Sequence, residues 1–224
     1  MDEGRRRRFL DTLRVTRVYA VTDDGLDMAR TLNVIDALLR AGIRIFQVRD
    51  KLGSDAARVA AGEAIVARVR DAGGFVILND RVDIALAADA DGAHLGQDDL
   101  PLDVGHALLG PGRVLGASAS HLHEIPGAIQ AGVDYLGFGA VYATGTKPDA
   151  EFAGLDLLRD ACRLATVPVV GIGGIDVERA PEVMTQGTSA VAVVSALFRA
   201  PDPEAAARAL LRAVRAMPEG DHFP

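Results

Sequence analysis

Two basic residues near position 50 are spaced to bind an anion. Gln47, Arg49 and Lys51 follow an apolar run that predicts a buried strand. Alternate side chains of a strand share a face, so these three point the same way. Two inward cations are costly unless they meet an anion, and Arg49 with Lys51 suits a diphosphate. The alternative is that nearby carboxylates pair with both cations.

Acidic residues follow the next two apolar runs. Asn79 and Asp80 end the third run, and Asp98 and Asp99 end the fourth. A few hard oxygen ligands shared with phosphate suit Mg2+, and we expect Asp80 and Asp99 to bind it. The alternative for Asp98 or Asp99 is the capping of a helix. No His or Cys pair has zinc spacing, so we expect the histidines to be structural.

Hydroxyl groups and a lysine follow the fifth and sixth runs. Ser118 could hydrogen-bond a heterocycle, with capping of the next helix as the alternative. The loop after the sixth run contains Thr144, Thr146 and Lys147, which suit an anionic substrate.

A second phosphate site is predicted at the last two runs. The seventh ends in Gly173 and Gly174, and the eighth in Val194 and Ser195. Glycine lets backbone amides approach a phosphate, and barrels often bind phosphate at these two loops. A tight turn is the alternative for the glycines. Two phosphate sites predict two phosphorylated substrates in one protein.

Eight short apolar runs position these residues and alternate with helical segments such as 26–41 and 56–72. The runs span residues 18–22, 43–48, 75–78, 92–96, 114–118, 135–141, 168–173 and 190–195. Eight such units predict an α/β fold that closes as a (β/α)8 TIM barrel, with an open doubly wound sheet as the alternative. Polar residues after nearly every run favour the barrel, because an open sheet concentrates them at one switch point.

Composition predicts one catalytic domain. The chain has 224 residues, of which 49% are hydrophobic, enough for one full core. We expect a barrel over 16–216, a C-terminal tail over 217–224 and a flexible, Arg-rich arm over 1–15 that includes Arg5 to Arg8.

Charge and cysteine usage restrict the class of partner. A net charge of -7 disfavours nucleic acid, and no apolar run is long enough for a membrane span. The single cysteine, Cys162, lies in an apolar segment, so we expect a buried thiol and a cytoplasmic protein. The oligomeric state stays open, a homo-oligomer being one alternative.

The ordered motifs resemble the thiamine phosphate synthase family. The matching residues cover about Tyr19 to Phe198 and comprise 47–51, 79–80, 96–99, 116–118, 144–147, 171–174 and 194–195. One departure is Ala143, where the family usually has proline; this loosens the loop but removes no ligand.

The resemblance implies a reaction between two small molecules, a pyrimidinylmethyl diphosphate and a thiazole phosphate, that yields thiamine phosphate and diphosphate. It implies a Mg2+ cofactor and a dissociative displacement without a protein nucleophile. Ser118 would contact the pyrimidine, and Asp80 and Asp99 would hold Mg2+. The pyrimidine diphosphate would be held by Gln47, Arg49, Lys51, Asn79 and Lys147. The thiazole phosphate would be held by Thr144, Thr146, Gly174, Val194 and Ser195.

Three other functions fit a phosphate-binding barrel. A thiazole tautomerase would need neither the cations Arg49 and Lys51 nor the acids Asp80 and Asp99. A binding module without catalytic activity would bind phosphate ligands without turnover. An isomerase or aldolase would use a basic carboxylate or a Schiff-base lysine, a role that Arg49 beside Lys51 disfavours.

Overall fold

The barrel is closed by eight parallel strands that pair in chain order. A computed structural model describes residues 3–24, 26–144 and 152–217. Within them the strands are β1 (Val18–Val21), β2 (Ile45–Val48), β3 (Phe75–Asn79), β4 (Gly92–Leu95), β5 (Val114–Ala119), β6 (Tyr135–Phe138), β7 (Val169–Ile172) and β8 (Ala190–Val193). Strand β8 pairs with β1 and closes the sheet. The predicted (β/α)8 barrel is confirmed, and the open sheet is wrong.

Helices surround the strands in the described part of the chain. They are α1 (Glu3–Thr16), α2 (Met28–Ala41), α3 (Asp55–Asp71), α4 (Val82–Ala87), α5 (Leu102–Leu109), α6 (Glu124–Gln130), α7 (Gly154–Leu164), α8 (Ala180–Met184), α9 (Ser195–Phe198) and α10 (Pro203–Arg215). Helix α2 shows how the sequence sets such bounds. The Asp27 carboxylate accepts a hydrogen bond from the Arg30 backbone amide at the start of the helix. Gly42 ends the helix with a left-handed backbone at φ 109°. None of these helices is long and apolar enough to cross a membrane.

Strand alternation divides the core into two layers. Val18 and Ala20 of β1 pack outward against the helices, whereas Tyr19 and Val21 face the barrel interior. The interior cluster continues with residues from β2, β3, β5, β6, β7 and β8. These side chains fill the end of the barrel where the strands begin, so open volume is left where the strands end.

Helix α1 closes the end of the barrel where the strands begin, contrary to the expected flexible arm. Phe9 and Leu13 are fully buried and join the interior cluster. The Phe9 ring lies 5.8 Å from that of Phe75 and 5.6 Å from that of Tyr135. An apolar pair at i and i+4 lies on one helical face, which here docks on the barrel. Of the predicted tail, only Met217 lies within the described residues.

Two arginines of the expected arm hold α1 in place. Arg5 pairs with Asp91 and Arg6 with Asp134, and both carboxylates are almost fully buried. Asp91 also accepts from the Val76 amide. Burial raises the pKa of Asp134, while the charge and hydrogen bond of Arg6 act against that rise. Arg5 and Arg6 therefore attach α1 to the barrel in this structure.

Candidate active site

One cavity of about 450 Å³ opens where the strands end, and it gathers the predicted site residues. Every one of them that is described lines it: Gln47, Arg49, Lys51, Asn79, Asp80, Asp99, Ser118, Thr144, Gly174, Val194 and Ser195. The remaining two, Thr146 and Lys147, lie outside the described residues. The structure thus brings the described set together, and their chemical roles stay predictions.

The two cations of the β2 end stand on one side of the cavity. The Arg49 backbone is fixed because its amide donates to the Thr22 hydroxyl at 2.8 Å. The Arg49 guanidinium pairs with Asp24, and Lys51 pairs with Asp80. The carboxylate pairing considered as an alternative is therefore present. An incoming phosphate would compete with these carboxylates for the same donors.

Asp80 and Asp99 lie together beside those cations. Asp99 Oδ2 accepts from the Gly96 amide at 2.7 Å, and Asp80 adopts a left-handed backbone at φ 66°. Burial raises the pKa of Asp99, and the hydrogen bond and negative charge of Asp80 raise it further. Two mutually repelling carboxylates next to a cation suit an added divalent ion.

This donor set fits Mg2+ better than a metal held by protein ligands alone. Among the described residues, no group of three or more His, Cys, Asp or Glu side chains could hold a metal ion. Mg2+ commonly uses one or two carboxylates and takes its other ligands from substrate phosphate and water. The capping alternative for Asp98 and Asp99 is wrong, because the N-cap of α5 is Pro101, without a side-chain hydrogen bond.

Glycine backbone forms the opposite wall, after β7. Gly173 and Gly174 have φ of 104° and 63°, where L side chains are strained. A Cβ on Gly174 would lie 2.7 Å from the carbonyl oxygen of Ala143 and 2.8 Å from Cβ of Tyr142. This packing brings the β7 loop against the loop that precedes Thr144. The tight turn and the predicted phosphate contact are therefore compatible.

Hydrogen-bonded side chains form the floor of the cavity. The hydroxyls of Tyr19 and Tyr135 are 2.8 Å apart, and Gln47 Nε2 donates to Tyr19 at 3.2 Å. Nδ1 of His94 lies 3.0 Å from the Tyr135 hydroxyl, and Nε2 lies 2.9 Å from Ser118 Oγ. Ser118 thus bonds inside the barrel.

The capping alternative for Ser118 is wrong. Helix α6 begins after His123, which is its N-cap and makes no side-chain capping bond. Burial lowers the pKa of His94 to about 4 and raises the pKa of Tyr19 and Tyr135. The floor is consequently neutral near pH 7.

Sequence reasoning missed the floor residues Tyr19 and Tyr135, and assigned His94 only a structural part. Each of these three residues lies on a strand next to a residue whose side chain faces the helices, as His94 lies between Ala93 and Leu95. Polar side chains at inward strand positions were the available signal.

Comparisons with known proteins give one consistent result. The sequence model of the family described as thiamine monophosphate synthase matches residues 18–197. A thiamine-phosphate synthase of Synechococcus sp. is 45% identical over 204 residues, which are 90% of this chain and 58% of that protein. This chain therefore spans less than two thirds of that relative. One of Roseiflexus castenholzii is 45% identical over 195 residues, 86% of each chain.

A solved structure agrees with these sequence matches. Thiamine phosphate pyrophosphorylase from Pyrococcus furiosus has a TM-score of 0.84 and 34% identity to this chain. The superposition covers 91% of this chain and 98% of that one.

Proposed function

This chain belongs to the thiamine monophosphate synthase family, and from that premise we propose that it makes thiamine phosphate. Its substrates are 4-amino-2-methyl-5-pyrimidinylmethyl diphosphate and 4-methyl-5-(2-phosphoethyl)thiazole, and diphosphate is the second product. The enzyme is thus a transferase of the pyrimidinylmethyl group. The observation that carries the proposal is one cavity with cations and acids on one wall and glycine backbone on the other.

The diphosphate lies at the β2 to β4 wall. Arg49 and Lys51 exchange their carboxylate partners for phosphate oxygens, and the Arg49 guanidinium can bind two oxygens at once. Gln47, Asn79 and Lys147 complete the set proposed to hold the pyrimidine diphosphate, with Gln47 against its ring. Charged donors in a partly buried site favour an anion more strongly than they would in water.

Asp80 and Asp99 would hold the proposed Mg2+. When bound, Mg2+ supplies positive charge that stabilises the departing diphosphate. Asp99 is oriented for this by the Gly96 amide, which occupies one of its oxygens. Lys51, which pairs with Asp80 in this structure, would then be available to the diphosphate.

The second substrate lies at the β7 and β8 wall. Thr144, Thr146, Gly174, Val194 and Ser195 hold the thiazole phosphate in this proposal. The short helix α9 begins at Ser195, directly after β8. Barrels commonly bind phosphate at these two loops.

The reaction needs positioning and charge, without a protein nucleophile. The bond between the methylene carbon and the diphosphate oxygen breaks, and its electron pair leaves with diphosphate. The aminopyrimidine delocalises the resulting cation while Ser118 and Gln47 orient the ring. The thiazole nitrogen then donates its lone pair to the methylene carbon from about 3 to 3.5 Å. Exclusion of water protects the cation.

Product stoichiometry separates this function from its rivals. Purified protein is supplied with both substrates and Mg2+, and thiamine phosphate and diphosphate are quantified; we expect equal amounts. A tautomerase would convert a thiazole phosphate tautomer without the pyrimidine, and a binding module would release no diphosphate. Either result in folded protein would reject the proposal.

The cytoplasm is the proposed location. Cys162 is a buried free thiol, and burial raises its pKa to about 12, which fits an unreactive side chain in a reducing compartment.

A further inference from the structure

Five side chains form a continuous hydrogen-bonded chain across the cavity floor. The polar chain runs in the order Gln47, Tyr19, Tyr135, His94 and Ser118. Its three inner members are buried, with at most 7% exposed, and all five line the cavity. The outer members, Gln47 and Ser118, are the two that the proposed function places against the pyrimidine.

The polar chain has one favoured direction because each hydroxyl carries a single proton. Gln47 Nε2 donates to Tyr19, so the Tyr19 proton is free for Tyr135. Tyr135 then donates to Nδ1 of His94, and the Nε2 proton of the neutral imidazole goes to Ser118. Every inner proton finds an acceptor.

The opposite direction is disfavoured by one unsatisfied group. With the Gln47 amide nitrogen on Tyr19, as in this structure, Tyr19 would then accept hydrogen bonds from both Gln47 and Tyr135, and its own buried proton would have no acceptor in the polar chain. A buried donor left without an acceptor is destabilising. The direction that starts from the Gln47 amide therefore predominates.

This direction fixes what each end offers to a ligand. The amide nitrogen of Gln47 is turned toward Tyr19, which leaves its carbonyl oxygen as an acceptor. Ser118 accepts from His94, so its own proton is left to donate. A 4-aminopyrimidine matches this pattern, because its amino group donates and its ring nitrogens accept. A 4-oxopyrimidine presents a carbonyl acceptor and a ring N–H donor instead.

We infer that Tyr19, Tyr135 and His94 are positioning residues that select aminopyrimidine over oxopyrimidine substrates. They act through Gln47 and Ser118 by holding the acceptor and donor in place, without contacting the reacting atoms. The inference rests on the proposed function, since it takes the pyrimidine site from there. Sites built to pair one hydrogen-bond pattern reject the mismatched ligand strongly.

Binding of a matched pair of unreactive ligands tests this selection. The ligands are analogues of the pyrimidine diphosphate in which a CH2 group replaces the oxygen between the methylene carbon and phosphorus. They carry an amino or an oxo group at ring position 4, and Kd is measured by calorimetry. We expect wild type to favour the amino ligand by about 100-fold. Tyr19→Phe and Tyr135→Phe each keep the ring and break the polar chain, so this preference falls about tenfold.

A double variant separates the polar chain from independent local effects. Once one variant has broken the polar chain, a second break disturbs Gln47 and Ser118 no further. The double variant Tyr19→Phe with Tyr135→Phe should therefore lower the ratio of the two Kd values no further than the stronger single change. Tyr142→Phe is the matched control. The Tyr142 hydroxyl donates a hydrogen bond to Glu182 at 2.9 Å, outside the polar chain. Removal of this hydroxyl should leave the ratio of the two Kd values unchanged.

The ratio of the two Kd values decides the inference. If both single variants lose affinity for the two ligands equally, the residues support the fold only and the inference is overturned. Thermal unfolding checks each variant, and Tyr135→Phe alone decides if Tyr19→Phe does not fold. The ratio requires no turnover, so a wild type without thiamine phosphate formation rejects the proposed function separately.

Discussion

Replacing Gly174 by alanine tests whether the β7 loop holds the thiazole phosphate. Gly174 has φ 63°, and an added Cβ would lie 2.7 Å from the Ala143 carbonyl oxygen and 2.8 Å from Cβ of Tyr142. Neither contact is possible without a shift, and one partner is backbone. The loop before Thr144 must therefore move away from the cavity wall.

Gly73→Ala supplies a matched control for the backbone strain. Gly73 has φ 73°, and an added Cβ would meet no atom within 4 Å. An alanine in this region costs about 1–2 kcal/mol, so Gly73→Ala should lose about 2–8 °C in Tm and Gly174→Ala at least as much. Only Gly174→Ala adds displacement of the loop, and a shift of about 1 Å can cost about 100-fold in rate.

Steady-state kinetics with each substrate varied in turn measures the difference. For Gly174→Ala we expect kcat/KM for the thiazole phosphate to fall about 10- to 100-fold. The KM for the pyrimidine diphosphate should stay near the wild-type value, and Gly73→Ala should match wild type for both substrates. Equal kinetics for the two variants at equal stability would refute the assignment of this wall.

Three further changes test other parts of the structure. Arg49→Ala should raise the KM for the pyrimidine diphosphate about 30-fold or more in steady-state kinetics, since loss of a buried charge pair costs about 2–5 kcal/mol. Arg68→Ala, at an exposed position, should leave this KM unchanged, and equal KM values for the two variants would reject the proposed binding of diphosphate by Arg49. Phe9→Ala should lower the free energy of unfolding in urea by about 3–5 kcal/mol, whereas a flexible arm predicts no change. Burial lowers the pKa of His94 from 6.5 to about 4, so the unfolded chain binds its proton first as pH falls. Wild type should therefore lose about 3 kcal/mol of stability between pH 6.5 and 4, and His94→Gln should lack that loss in urea unfolding; identical pH profiles would contradict it.

The strands were predictable because a buried parallel strand is apolar on both faces. All eight runs became strands, with ends that differ by up to three residues. The seventh begins at Val169 instead of Pro168, since proline has no amide hydrogen to donate. Helix α3 was similarly predicted at 56–72 and lies at Asp55–Asp71. Its start is fixed by Ser54, whose hydroxyl accepts a hydrogen bond from the Ala57 amide.

The site was predictable in position because barrel strands end at one rim. Local sequence could not show contacts between distant segments. The pairs that join Arg5 to Asp91 and Arg6 to Asp134 span 86 and 128 residues. When those partners are not known, an arginine run resembles a solvated arm. The spacing of Phe9 and Leu13 was a local indication of a helix with an apolar face. The polar chain likewise draws on β1, β2, β4, β5 and β6, each contributing one residue.

The initial rate of thiamine phosphate formation, measured against Mg2+ concentration, reports on the proposed reaction and its metal site together. The proteins compared are wild type, Asp80→Asn and, as control, Asp83→Asn, whose carboxylate is exposed and pairs with Arg81. We expect a wild-type rate that requires Mg2+, an unchanged control, and a loss of about 100-fold or more for Asp80→Asn. No product from folded wild type at saturating Mg2+, or an equal rate in the presence of a chelator, would contradict it.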